Sequence, residues 1–255
     1  MRVLFKWMGS VSLLTMYIVC ACVISVLPAG ARLRRALLLK NTAFFAGLLL
    51  GLLGIRVNVR HGDRLRRTKE NALIVANHVS YIDILVIASV IPAVFITSVE
   101  LGGTFFLGML ARLGGSLFVE RRKVAGLKQE IAEITRVLRE GHHVVLFPEG
   151  TTSNGERVHP FRNALFDAAI TAGADILPLC LRYASLDGGS ITTENRDRLF
   201  YYGGTKFSDH FPRLLSIDSV AVEVLPLPVI KVRKNASRKE LALQAHDAVS
   251  NVYRG

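Results

Sequence analysis

Cysteine is scarce in this chain of 255 residues, which contains only Cys20, Cys22 and Cys180. The number is odd and the spacing is wide, so no disulfide framework is indicated. Cys20 and Cys22 lie within an apolar stretch, where cysteine acts more often as a small apolar residue than as part of a metal or redox pair. This usage is consistent with a domain that faces the cytosol.

Acidic residues are scarce at the front of the chain. Residues 1–70 contain 12 Lys and Arg but only 2 Asp and Glu, whereas the remaining residues contain 20 and 18. A basic and apolar front end on a nearly neutral remainder indicates contact with an anionic membrane surface. Nucleic-acid binding would instead require basic residues on the folded domain, with aromatic side chains for stacking, so we expect no nucleic-acid partner.

Two apolar segments occupy the front end. Val11 to Leu27 carries no charge over 17 residues, and Ala36 to Ile55 is interrupted only by Lys40 and Asn41. About 20 apolar residues span a bilayer, so the first run is at the short limit for a transmembrane helix. Three interpretations stay open: a hairpin of two transmembrane helices, one span followed by an interfacial helix, or a signal peptide cleaved near Ala29–Ala31. We predict membrane-anchoring helices in residues 1–55 and one domain in residues 56–255.

The second part of the chain alternates between short β-branched runs and helical patterns, which predicts an α/β fold. We expect a mixed, mostly parallel sheet that is flanked by helices. Pro178 lies inside one predicted strand, which favours an edge position or a bulge. The predicted strands are Ile55–Val59, Ala72–Ala76, Ala93–Thr97, a strand within Gly114–Arg122 that ends in charged residues, Val144–Phe147, Asp175–Tyr183 and Val220–Leu225.

The most informative stretch runs from Asn77 to Asp83, directly after a predicted buried strand. Ser80 is a candidate N-cap for a helix from Tyr81, with Asp83 in the capping-box position. His78 then lies on the loop at the end of the strand, and the chain bends enough for Asp83 to reach it. An Asp that orients a His gives a general base; the alternative is a capping Asp beside an unrelated loop His.

A second stretch combines a predicted buried strand, ending at Phe147, with Pro148, Glu149, Gly150 and Thr151. The proline before this Glu restricts the backbone, and the glycine after it allows a ligand to approach closely. Glu149 would therefore be held at the end of a strand. The alternative is that Glu149 only caps a turn or helix.

In this order, the two stretches resemble the sequence blocks of the glycerolipid acyltransferase superfamily, which includes the 1-acylglycerol-3-phosphate and lysophospholipid acyltransferases. The first block is Asn-His-x4-Asp, and the third is Phe-Pro-Glu-Gly-Thr, which is present in full. Gly115, Phe118, Val119 and Arg121 resemble the second block, Gly-x-x-Phe-Ile/Val-x-Arg. Ile176–Leu179 resembles the fourth block, a short apolar strand that contains a proline. The resemblance covers roughly residues 56–230.

The resemblance implies transfer of an acyl group to the free hydroxyl of a lysolipid, from acyl-carrier protein or acyl-CoA as co-substrate. It implies no further cofactor, no metal and no covalent acyl-enzyme. His78 and Asp83 would be catalytic. The residues implied in substrate binding are Arg121, Glu149, Gly150 and Thr151.

The first expected acceptor is 1-acylglycerol-3-phosphate, which would yield phosphatidic acid. The extension Thr152–Gly155, followed by Pro160–Arg162, also resembles the branch that acylates lyso-ornithine lipid or lysophosphatidylcholine. Other classes stay open, namely a thioesterase or hydrolase and a non-catalytic membrane-associated binding protein; a Gly-x-Ser-x-Gly elbow is absent, which disfavours a serine hydrolase. We expect the protein at the inner membrane, with the catalytic domain facing the cytosol.

Overall fold

The computed structural model of the chain describes residues 1–68, 71–99, 103, 105–120 and 126–253. Its α-helices are α1 (Arg2–Val26), α2 (Ala31–Leu53), α3 (Gly62–Arg67), α4 (Ile82–Val90), α5 (Phe105–Leu113), α6 (Leu127–Arg139), α7 (Asp167–Ala172), α8 (Phe207–Leu215) and α9 (Arg238–Ser250). Its strands are β1 (Ile55–Val59), β2 (Leu73–Ala76), β3 (Ala93–Ser98), β4 (Leu117–Val119), β5 (His143–Leu146), β6 (Ile176–Leu186) and β7 (Val220–Pro226).

Within these residues the strands form one sheet in the order β1-β7-β6-β2-β5-β3-β4. Every neighbouring pair is parallel except β6 and β7. The predicted fold class, a mixed and mostly parallel sheet flanked by helices, is confirmed. β2 lies near the centre, between β5 and β6, so the loop that follows it leaves from the carboxyl end of the sheet, where ligands bind in open α/β folds.

Residues of the central strands alternate between two apolar cores, because successive side chains of a strand point to opposite faces of the sheet. Ile74 and Ala76 face one core, which contains residues of α2 and α4. Leu73 and Val75 face the other, which contains residues of α6, α7 and α9. Helices on both faces account for the continuous burial of β2.

The expectation that Pro178 marks an edge strand is wrong, because β6 lies inside the sheet. Ile176 exchanges hydrogen bonds with Ile230, and the carbonyl of Pro178 accepts from Leu227 N. The backbone N–H and C=O groups of alternate strand residues point to the same side. The ring nitrogen of Pro178 therefore faces the segment from Leu227 to Ile230, which follows β7, and not β2. A register shift does occur in β6, but at Tyr183–Ser185.

The first two helices form a hairpin that lies against the rest of the chain. α1 and α2 are each long and apolar enough to cross a membrane by length and composition. Leu50 and Leu53 of α2 belong to the apolar core that also contains residues of β2. Near the start of α2, Arg35 Nε lies 3.7 Å from Glu140 Oε2. Tyr17 of α1 donates a hydrogen bond to the carbonyl of Leu110. Both helices therefore contact the α/β part of the chain.

Lys6 joins the hairpin to the end of α8. Its ammonium group is buried and donates to the carbonyls of Leu53 and Ile217, each at 2.6 Å. Leu53 is the last residue of α2, and a cation at this helix end is favourable because the terminal carbonyls have no partner within the helix. Gly54 then adopts a φ of 82°, and a Cβ there would lie 2.4 Å from the carbonyl oxygen of Asp218. The junction requires glycine.

We expect Lys6→Met to lower the free energy of unfolding by about 1–3 kcal/mol, because the variant leaves two carbonyl groups without their donor. The measurement is thermal unfolding of the purified protein in detergent. Lys40→Met is the matched control, since Lys40 is exposed on α2 and its loss removes the same charge. Equal stability of the two variants would contradict this assignment.

Candidate functional site

Asn77 determines how the chain leaves β2. Its side-chain amide is buried, accepts a hydrogen bond from Leu181 N at 2.8 Å and donates to Leu181 O at 3.0 Å. The amide thus pairs with β6 as a backbone group would, one residue beyond the end of the strand. Sequence reasoning placed Asn77 in the motif but did not recognise this positioning function.

His78 and Asp83 meet as predicted, with 2.8 Å between His78 Nδ1 and Asp83 Oδ2. The same carboxylate oxygen accepts from the backbone N–H groups of Val79 and Ser80. The Asp83 side chain is fully buried, whereas that of His78 is 14% exposed. A carboxylate at Nδ1 retains the proton on that nitrogen, which leaves Nε2 with a lone pair that can accept a proton.

The helix after the loop begins at Ile82, one residue later than predicted. The carboxylate of Asp83 reaches back to Ser80 N–H, as a capping box requires. The Ser80 hydroxyl, however, donates to the carbonyl of Leu199. Asp83 therefore organises the helix start, as the alternative held, but His78 is not unrelated to it, because the same carboxylate binds the imidazole.

Tyr183 is a further member of the site that the sequence did not reveal. Its hydroxyl donates to Asp83 Oδ1 at 2.6 Å, so each carboxylate oxygen of Asp83 has a donor. Burial and the neighbouring Asp83 raise the pKa of Tyr183 well above its ordinary value, which keeps the hydroxyl protonated as a donor. Tyr183 follows Asp83 by 100 residues, and only the position of β6 brings the two together.

Phe147 and Glu149, in the turn that follows the neighbouring strand β5, hold His78 in place. The rings of Phe147 and His78 stack with 3.9 Å between centroids and an angle of 14°. Glu149 Oε1 accepts the backbone N–H of His78 at 2.7 Å, and Oε2 accepts that of His159 at 2.8 Å. Glu149 is only 5% exposed, lies just beyond the end of β5, close to the predicted position, and joins two loops.

Burial raises the pKa of Glu149 to about 7, although the hydrogen bonds from His159 and His78 lower it and the charge of Asp83 raises it further. Because both carboxylate oxygens already bind backbone N–H groups, the geometry supports a positioning function for Glu149. Its implied contact with the acceptor stays a prediction.

Gly150 and Thr151 lie at the corner after Glu149. Gly150 has a φ of 79°, and a Cβ there would lie 2.9 Å from the guanidinium carbon of Arg162. Thr151 is exposed beside this corner. Arg121 lies outside the described residues, so the implied substrate-binding functions of Arg121, Gly150 and Thr151 stay predictions.

Within the part of the chain that the structure describes, no group of three or more His, Cys, Asp or Glu residues could hold a metal ion. His143 accepts a hydrogen bond from Ala72 N at 3.3 Å, which gives this histidine a structural function. The expectation of a site without metal or cofactor stays a prediction.

Residues 56–182 match the family model described as Acyltransferase. A lyso-ornithine lipid O-acyltransferase from Rhizobium meliloti (strain 1021) is 35% identical over 75% of this chain and 67% of that protein. A 1-acyl-sn-glycerol-3-phosphate acyltransferase from Neisseria gonorrhoeae is 37% identical over 56% of each chain. The fold is similar to the crystal structure of the 1-acyl-sn-glycerophosphate (LPA) acyltransferase from Thermotoga maritima, with a TM-score of 0.70, 21% identity and coverage of 98% and 93%.

We expect the stability of the protein relative to Glu149→Gln to fall as pH rises from about 4.5 to 7. Folding raises the pKa of Glu149 from 4.5 to about 7, so the folded state binds more protons in this window and loses stability as they dissociate. The full change is on the order of 3 kcal/mol, at about 1.4 kcal/mol per pKa unit. The measurement is thermal unfolding at pH 5 and pH 8.

Glu156→Gln is the control for this titration, because Glu156 is exposed and its pKa is lowered, so it stays ionised at both pH values. A difference between the protein and Glu149→Gln that is the same at pH 5 and pH 8 would refute the buried titration.

Proposed function

Because this chain belongs to the acyltransferase family, we propose that it transfers a fatty acyl group from the thioester of acyl-carrier protein or acyl-CoA to the free hydroxyl of a lysolipid. The observation that supports this reaction is the contact between His78 and Asp83, with Nε2 of the imidazole available as a base. Nε2 would take the proton of the acceptor hydroxyl as that oxygen attacks the thioester carbonyl. Such general-base assistance contributes about 10²–10⁴ in rate.

Asp83 would have two tasks in this reaction. It holds the imidazole with Nδ1 protonated, and it stabilises the imidazolium ion that forms when Nε2 accepts the proton. The proton then passes to the departing thiolate of the donor, which restores neutral His78. No covalent acyl-enzyme is needed, because acceptor and donor react directly.

Two acceptors are supported by the relatives. Four relatives named lyso-ornithine lipid O-acyltransferase match 75%, 79%, 67% and 71% of this chain, whereas the gonococcal 1-acyl-sn-glycerol-3-phosphate acyltransferase matches 56%. We therefore place lyso-ornithine lipid first and 1-acylglycerol-3-phosphate second, which reverses the order expected from the motifs alone. Lysophosphatidylcholine is the third acceptor to test.

The test is a thin-layer assay of purified protein with labelled acyl-carrier protein or acyl-CoA and the three lysolipids in parallel. We expect a labelled diacyl product with the protein and a loss of at least 10²-fold with His78→Ala, which removes the base. His61→Asn is the control, because His61 is exposed with a φ of 52°, a conformation that Asn tolerates. Release of free fatty acid alone would indicate a hydrolase, and full activity of His78→Ala would remove the proposed base.

We expect Tyr183→Phe to lower kcat about tenfold, which corresponds to about 1.4 kcal/mol, with little change in KM. Without this donor Asp83 Oδ1 loses its hydrogen-bond partner, so the carboxylate orients His78 less well in the reaction. Tyr202→Phe is the matched control, because it removes an exposed tyrosine–aspartate hydrogen bond of the same length, to Asp197. Equal kcat values for Tyr183→Phe and Tyr202→Phe would exclude the positioning function.

We also propose that the hairpin of α1 and α2 attaches the protein to the inner membrane, with the catalytic site on the cytosolic side. Contacts of Arg35 with Glu140 and of Lys6 with Ile217 hold the hairpin along the α/β part, which favours a hairpin that lies in the interface over one that crosses the bilayer. Exposed apolar side chains of the hairpin lie at Leu4, Phe5, Trp7, Met8, Met16, Val19, Val23, Val26, Leu33 and Phe44. Val19 and Val23 are one turn apart and share an apolar face of α1.

We expect the double variant Val19→Glu, Val23→Glu to leave the membrane fraction, because it places two charges on this apolar face, where both valines are more than half exposed. Flotation with vesicles of anionic phospholipid measures the bound fraction. Leu243→Glu is the control, since Leu243 is 61% exposed on α9 instead. Equal flotation of all three proteins would exclude the hairpin as the attachment site.

A further inference from the structure

Arg162 lies against the corner formed by Pro148, Glu149 and Gly150. Its backbone N–H donates to the carbonyl of Pro148 at 2.8 Å. Its guanidinium carbon and Nε would both lie 2.9 Å from a Cβ on Gly150, so the side chain folds back over the bare backbone of this glycine. Arg162 is nevertheless exposed to solvent.

The guanidinium group of Arg162 has no hydrogen-bond or ion-pair partner among the residues that the structure describes. Other arginines near the site differ in this respect: Arg196 pairs with Glu156, and Arg182 pairs with Glu223. An arginine held in place without an acidic partner retains its charge and its planar set of donors for a ligand.

The same framework carries Arg162 and the proposed base. The segment that ends at Arg162 is joined to the corner twice, through His159 N to Glu149 Oε2 and through Arg162 N to Pro148 O. The other oxygen of Glu149 binds the N–H of His78. Pro148 and Glu149 therefore hold the backbones of Arg162 and His78 at one corner, so the guanidinium group and the proposed base are carried by the same framework.

We propose that Arg162 binds the anionic group of the lysolipid acceptor, either a phosphate or a carboxylate, as a residue that determines acceptor specificity. This assignment rests on the proposed function. A guanidinium fork matches both groups with two parallel hydrogen bonds. Gly150 is part of the same site, because any larger residue would push the guanidinium group away from the corner.

The first test compares KM values for 1-acylglycerol-3-phosphate and lyso-ornithine lipid. We expect Arg162→Gln to raise KM at least tenfold for the acceptor whose anionic group Arg162 binds, with kcat changed less than threefold. Arg157→Gln is the matched control, because it removes an exposed arginine from the same loop without touching Gly150. A rise in KM for 1-acylglycerol-3-phosphate alone identifies phosphate as the ligand, and a rise for lyso-ornithine lipid alone identifies carboxylate. A rise for both acceptors shows that Arg162 binds either anionic group.

The second test needs no turnover. Glycerol 3-phosphate and acetate, each compared with glycerol, are the phosphate and carboxylate probes; at least one of them is expected to raise the Tm of the protein and of Arg157→Gln but not that of Arg162→Gln. Unchanged KM values for both acceptors, or equal Tm shifts in all three proteins with both probes, would overturn the assignment. If glycerol 3-phosphate stabilises the protein through Arg162 but no acyl transfer occurs, the anion site stands and the proposed function fails.

Discussion

The buried carboxylate of Asp83 is the group on which the architecture of the site depends. A fully buried charge is costly unless hydrogen bonds compensate it, and here four donors do so. Two are backbone N–H groups of the loop after β2, one is His78 and one is the hydroxyl of Tyr183. The loop, the start of α4 and β6 therefore converge on one side chain. Catalytic geometry and local folding depend on the same set of hydrogen bonds.

Much of this site was predictable from local sequence. The spacing of His78 and Asp83, directly after an apolar run, predicts a loop base and a helix-start carboxylate, and both lie where expected. Phe147 and Glu149 were predictable at the end of a second strand for the same reason. These predictions hold because each depends on residues within one strand and the turn that follows it.

Contacts that depend on strand order were not predictable. Tyr183 reaches Asp83, and Asn77 pairs with Leu181, only because β6 lies next to β2. Strand order also explains the wrong expectation for Pro178, because β6 lies inside the sheet while the missing N–H faces the segment after β7 and not β2. The two apolar helices were predicted as an anchor, but hydropathy alone does not show that one face of α2 belongs to a core shared with the sheet.

Residues near the start of the sequence pack against residues that are synthesised much later. β1 pairs only with β7 among the described strands, and Lys6 finds one of its two carbonyl partners 211 residues later. Contacts of such long range form late, because the intervening chain must first be made and closed into a loop. The apolar hairpin would thus leave the ribosome long before the surface that it packs against has been synthesised. Until β7 is complete, a bilayer or a chaperone has to cover its exposed apolar side chains.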